Sequence, residues 1–246
     1  MKKESLKKIS NLKKRISSSK DIVFFGGAGV STESGIPDFR GEKGIYNTMK
    51  KYGESPETIL SHEYFFSNTS LFYEYYKENI IYKYAQPNYS HIGINKLEKE
   101  GKVKAIITQN IDGLHQKAGS KNVLELHGNI LKNYCVNCNA KYNLNYIIDS
   151  KDVPICKYCR EIIKPDIVLY QEPLKEEIIN KAIEFIIKAD LLIIGGTSLV
   201  VYPAAGLVQH FKGKNLVLIN KTMTSYDNYA NLVINEPIGE VFKKII

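Results

Sequence analysis

No stretch of this 246-residue chain is apolar for long enough to cross a bilayer; tryptophan is absent, and there are only eight prolines and four cysteines. The first shortage excludes a membrane span, which needs about twenty apolar residues in a row. The opening lysines are not followed by the apolar core of an export signal, so a cytoplasmic location is expected. There is no internal repeat and no low-complexity linker. With 43% hydrophobic and 24% charged residues, what remains is a soluble globular composition, large enough for one main domain with a small inserted module.

The net charge of +8 would attract polyanions if it were clustered. The lysines are instead spread along the chain, with no basic stripe interleaved with aromatics beyond the N-terminus, so direct nucleic-acid binding is not expected. From Lys2 to Lys20, Leu6, Ile9, Leu12 and Ile16 recur at near-helical spacing. This predicts a cationic amphipathic helix whose apolar stripe packs on the domain while its lysines stay in water.

Four short β-branched runs, Ile22 to Phe25, Val103 to Thr108, Leu191 to Ile194 and Leu216 to Ile219, read as core strands ending at polar or glycine-rich loops. Helical patterns separate some of them: Lys175 to Ala189, with a broad isoleucine face, and a segment from Pro203 to near Gly213. The alternation predicts an α/β fold, a Rossmann-like doubly wound parallel sheet whose ligand lies beyond the carboxyl ends of the strands. A tyrosine-rich helical stretch from about Gly44 to Tyr84 and a cysteine-bearing stretch from about Leu131 to Lys164 interrupt it. Both read as excursions from the sheet.

All four cysteines fall in one pattern, Cys135-x-x-Cys138, seventeen residues, then Cys156-x-x-Cys159. Two such knuckles suit one tetrahedral zinc ion, and in a chain without an export signal this reading outweighs disulfides. A full shell of four thiolates makes the metal structural, a staple for a module too small to hold itself.

The first strand opens into Gly26-Gly27-Ala28-Gly29-Val30-Ser31-Thr32. Closely spaced glycines after a strand let the backbone approach a diphosphate, with the next helix's positive end as an anion site. Thr32 stands where the dinucleotide fingerprint has its third glycine, and no acidic residue stands about twenty residues on. Taken alone, the run is equally a simple tight turn.

Gly35-Ile36-Pro37-Asp38-Phe39-Arg40 follows, and Gln109-Asn110-Ile111-Asp112-Gly113-Leu114-His115, His127-Gly128 and Gly196-Thr197-Ser198-Leu199 come later. In this order, from about Asp21 to the C-terminus, the motifs resemble the sirtuin family of NAD-dependent protein-lysine deacylases. The resemblance implies a small domain, residues 44–84 and 131–164, packed over an NAD-binding domain of residues 1–43, 85–130 and 165–246.

It also implies that NAD is a consumed co-substrate. The acetyl oxygen of a substrate lysine attacks the ribose carbon, nicotinamide leaves and an alkylamidate forms. His127 then activates a ribose hydroxyl as general base, giving free lysine and O-acetyl-ADP-ribose. Asn110, Ile111 and Asp112 match the nicotinamide pocket, with Asn110 and Asp112 counted with His127 as catalytic. Ala28, Gly29, Thr32, Asp38, Phe39, Arg40, Gln109, Gly196, Thr197, Ser198 and Asn220 match other NAD contacts. Ile238 either lies against the adenine or is a core residue.

An acetyl-lysine protein or peptide would add as a strand between two loops, touching Val168, Tyr170 and Val200. The first loop has Tyr170-Gln171-Glu172 where the family has Phe-Gly-Glu, which puts the approach of the peptide backbone in question. Tyr73 has no arginine three residues on, as family members favouring succinyl or malonyl groups do, so a neutral acyl group is expected. His62, His91, His115 and His210 are read as structural. The competing activities are mono-ADP-ribosyl transfer to protein, an inactive NAD-metabolite or acetyl-lysine binding module, and hydride transfer by a dehydrogenase.

Overall fold

The computed structural model describes residues 3–37 and 49–246. Among them are nine strands: β1 (Ile22–Gly26), β2 (Val103–Thr108), β3 (Val123–Glu125), β4 (Gly128–Cys135), β5 (Lys141–Asn143), β6 (Ile163–Ile167), β7 (Leu191–Gly195), β8 (Asn215–Ile219) and β9 (Leu232–Ile234). The helices are α1 (Lys3–Ser18), α2 (Pro56–Ile59), α3 (His62–Ser67), α4 (Thr69–Asn79), α5 (Tyr89–Lys99), α6 (Leu114–Lys117), α7 (Leu144–Asp149), α8 (Glu176–Lys188) and α9 (Ile238–Ile245).

Six strands form one parallel sheet in the order β3-β2-β1-β7-β8-β9. All five residues of β1 and of β7 are buried, as continuous apolar runs covered on both faces require. Alternation along β1 assigns the two faces. Phe24 packs with Ile9, Leu12 and Ile16 of α1, Ile94 of α5 and Phe242 of α9. Val23 and Phe25 pack with Ala182 and Ile186 of α8. The chain proceeds outward from β1 to β3 on one side and from β7 to β9 on the other, so the order reverses between β1 and β7. That switch point opens a crevice at the strands' carboxyl ends.

The two excursions meet in one separate core. The antiparallel sheet β5-β4-β6 contributes Cys135, Ile163 and Ile167, and the helical segment contributes Ile59, Phe65, Phe72, Tyr73, Tyr75 and Tyr76. Phe72 meets Phe65 edge-on at 4.8 Å and Tyr73 edge-on at 5.3 Å, the geometry favoured by the ring quadrupole.

The four anticipated strands are present, and β3 and β9 extend the sheet by one three-residue strand at each edge. No α-helix follows β1 directly. The segment turns through two 3₁₀ stretches, Ala28–Val30 and Thr32–Ser34, because the Gly29 N–H bonds Gly196 O at 2.8 Å and the Thr32 hydroxyl donates to Gly29 O at 3.0 Å. The anion site expected at a helix N-terminus is therefore a tight loop. The segment after Pro203 is likewise 3₁₀, Ala204–His210. In α1 the stripe Ile9, Leu12 and Ile16 is buried as expected, whereas Leu6 is exposed.

Candidate active site

The loops after β1 and β7 press against each other across the switch point. A Cβ on Gly29 would lie 2.7 Å from Gly196 Cα, and one on Gly196, whose φ is +59°, would lie 2.4 Å from the Val30 nitrogen. These glycines thus permit two backbones to touch, a stricter demand than turning sharply. Beside them Thr197 Oγ1 accepts from Leu199 N–H at 3.1 Å and from the Gln109 carboxamide at 3.2 Å, joining the β2 and β7 ends. Ser198 is exposed, and the carboxamide of Asn220, just past β8, donates to Thr222 O at 2.9 Å.

Asn110, Ile111 and Asp112 follow β2. The Asn110 carboxamide donates to Ser31 Oγ at 3.0 Å, and the Ser31 hydroxyl donates to Asp112 Oδ2 at 2.6 Å. Asp112 Oδ1 accepts the Leu114 N–H at 2.8 Å, at the start of α6. Burial raises the Asp112 carboxyl from its ordinary range, opposed by the Ser31 and Leu114 bonds. Ser31 is 1% exposed and joins two anticipated residues, yet in the sequence it is one hydroxyl among several. Its polar position beside a glycine-rich loop was the available signal. Ile111 packs on the core of the smaller unit, linking the two halves.

His127 lies between β3 and β4, half-buried, with Nδ1 2.9 Å from Gln109 O. A carbonyl only accepts, so Nδ1 carries a proton, and the neutral ring then has its lone pair on Nε2, the tautomer a general base requires. The next residue must be glycine: φ at Gly128 is +78°, and a Cβ there would lie 2.0 Å from Asp166 O. The His127 carbonyl accepts the Val168 N–H at 2.9 Å, coupling the histidine to the loop after β6.

That loop is tied to the helical segment. Tyr170 N–H donates to Leu60 O at 3.0 Å and Tyr170 O accepts from His62 N–H at 2.9 Å, so its backbone pairs inside the protein. Gln171 has a left-handed backbone, φ +75°, a conformation that favours glycine, and its side chain turns to accept the Glu63 N–H at 3.0 Å. Glu172 accepts from Leu169 N–H at 2.9 Å and meets buried Lys164 at 3.0 Å and His62 at 2.9 Å. Burial lowers the Lys164 ammonium below its usual range despite Glu172. Val200, on the opposite loop, is 61% exposed.

Three expectations change or fall elsewhere. Ile238 is 3% exposed in the core and packs toward Gly195 at the carboxyl end of β7, as the core-packing alternative has it. Tyr73 and Tyr76 are both in the aromatic core, with the Tyr73 hydroxyl donating to Ile163 O. Asp38, Phe39 and Arg40 lie outside the described residues.

The sulfurs of Cys135, Cys138, Cys156 and Cys159 all lie within 4.8 Å of one another, with Cys135–Cys159 at 3.3 Å and Cys138–Cys156 at 3.6 Å. A tetrahedral zinc with bonds of about 2.3 Å sets its sulfurs about 3.8 Å apart, so the four thiolates fit one ion with no open position. The Tyr142 hydroxyl donates to Cys156 Sγ at 3.1 Å, an outer-shell bond that orients the ligand.

A doubly wound sheet, touching glycine loops at its switch point and a four-thiolate module define a dinucleotide-binding protein with a zinc-stapled lobe. The Sir2 family model matches residues 27–203. The NAD-dependent protein deacetylase of Clostridium tetani is 58% identical over 237 residues, covering 96% of each chain. Among solved structures, a Sir2–p53 peptide–NAD complex superposes with a TM-score of 0.83 at 39% identity, covering 100% of this chain and 97% of that one. A Sir2 complex with 2′-O-acetyl-ADP-ribose and deacetylated p53 peptide gives 0.84 at 38% identity, with 96% of each covered. The chain belongs to the Sir2 family.

Proposed function

We propose that this chain is an NAD-dependent protein-lysine deacetylase that moves the acetyl group of acetyl-lysine to ADP-ribose, releasing nicotinamide and O-acetyl-ADP-ribose. The observation that carries this reading is the position of His127: its ring is oriented by Gln109 of the dinucleotide crevice, and its carbonyl holds Val168 of the peptide loop. One residue thus stands where co-substrate and acyl-lysine must meet. His127 takes the proton of a ribose hydroxyl through Nε2, and Asn110 and Asp112, pinned by Ser31, orient the nicotinamide carboxamide. Ala28, Gly29, Thr32, Gly196, Thr197 and Ser198 surround the diphosphate, Gln109 and Asn220 the riboses. Val168, Tyr170 and Val200 border the peptide. Asp38, Phe39 and Arg40 complete the NAD contacts in this reading.

The lobe's own core, separate from the two clusters on the faces of the sheet, supports dividing the chain into an NAD-binding domain, residues 1–43, 85–130 and 165–246, and a small domain, residues 44–84 and 131–164. No described helix is long and apolar enough to cross a membrane. We assign the protein to the cytoplasm, where four thiols stay reduced for zinc.

The test is incubation with NAD and an acetyl-lysine peptide, following nicotinamide and peptide mass. Wild type is expected to release nicotinamide and deacetylated peptide in equal amounts. His127→Ala should lose about 100-fold or more of deacetylation while retaining nicotinamide exchange, because the base acts after the leaving group departs. Deacetylation at full rate without NAD would overturn the reading, and a protein mass gain of ADP-ribose would assign transferase activity instead.

A further inference from the structure

The start of α5 (Tyr89–Lys99) is closed by a capping box in which His91 occupies the position usually held by Glu or Gln. The Asn88 N–H donates to His91 Nδ1 at 3.2 Å, and Asn88 Oδ1 accepts the Ser90 N–H at 2.9 Å. The other end of the same carboxamide leaves the helix. Asn88 Nδ2 donates to Val30 O at 2.8 Å and to Ser34 Oγ at 2.9 Å, both in the loop that carries Ala28, Ser31 and Thr32. One side chain therefore caps a helix and holds the crevice loop, and His91 fixes the backbone from which it reaches.

His91 is fully buried, its ring 4.8 Å from that of His115 on α6, four residues beyond Ile111 of the nicotinamide segment. An Nδ1 that accepts from an amide places the proton on Nε2. Burial, which holds His91 down to about 4, keeps that neutral state at ordinary pH.

We propose that His91 and Asn88 are positioning residues for the dinucleotide loop: His91 orients Asn88, whose carboxamide holds Val30 and Ser34 in the geometry that receives NAD. Neither touches the reacting atoms. This inference rests on the proposed function for the identity of the ligand.

Two variants of the full chain separate positioning from general stability. Asn88→Asp keeps an oxygen to cap α5 but removes the carboxamide donor to Val30 O and Ser34 Oγ, leaving the longer 3.4 Å bond from the Ser90 hydroxyl at Val30 O. It should raise both the calorimetric Kd and the KM for NAD by about tenfold, because the bond to Val30 O is replaced by carboxylate–carbonyl repulsion while the Ser34 hydroxyl can turn to donate, with kcat within about twofold of wild type. His91→Gln, which still accepts from an amide, should restore near-wild-type KM where His91→Ala raises it. Unchanged NAD affinity in Asn88→Asp, or equal loss in His91→Gln and His91→Ala with a shared drop in melting temperature, would overturn the proposal. Wild-type protein that failed to bind NAD would instead sink the functional reading.

Discussion

The parallel sheet and the zinc-stapled lobe reach stability by different routes. Strands β1 and β7 bury every side chain between two helical layers, so the sheet's core is continuous and locally apolar. In the lobe, β5 has three residues with only Tyr142 buried, and the core mixes isoleucines and leucines with tyrosines, phenylalanines and two of the four cysteines. Short strands bury too little surface to hold themselves, whereas four thiolates on one ion close the chain at two points.

The strongest way to break this contrast is metal removal. Chelation of zinc, or Cys156→Ser, should unfold the lobe, seen as loss of near-UV tyrosine signals, and abolish deacetylation, while the sheet keeps its far-UV spectrum. A zinc-free protein with full activity and an unchanged near-UV spectrum would contradict the division of labour.

Acid probes the sheet side, where His91 and His115 are buried as neutral rings. Burial depresses both, His91 to about 4. The unfolded chain then binds protons that the native state refuses, so stability present above about pH 6.5 is lost as pH falls toward about 4, on the order of 3 kcal/mol for His91. Denaturant melts at several pH values should show His91→Gln losing less stability than wild type over that window. Parallel curves would show that the ring is not the acid-sensitive group.

The smallest effect is expected where lobe and peptide loop join. Gln171→Gly relieves a left-handed non-glycine residue, worth about 1 kcal/mol, and removes the Gln171–Glu63 bond, worth about the same. Thermal unfolding should therefore shift little. A loss above about 2 kcal/mol would make that side chain the principal tie between loop and lobe.

Most of the architecture is legible in the sequence. Four of six sheet strands, α1, α8 and the cysteine module follow from local periodicity and spacing. Val123-Leu124-Glu125-Leu126 alternates and marks the end of an element before His127, without naming a sheet strand, and β9 escaped because three residues are too few for a period to register. His91 read as structural because a buried histidine carries no one-dimensional mark of what its neighbours hold. Gln171 reads as a departure from a glycine, and its left-handed backbone and its bond to the Glu63 N–H are visible only in the fold.

From the order of its residues alone, this chain is marked as an α/β protein with a four-cysteine metal module and a set of polar motifs at strand ends, because strands, helices and metal knuckles are written in short-range patterns. Folding alone decided that Ser31 would pin Asn110 and Asp112, residues 79 and 81 positions away, and that Gly29 would lie against Gly196. It also merged the two excursions into one core. Such contacts join segments whose local patterns are independent, and only the packing of the sheet brings them within bonding distance.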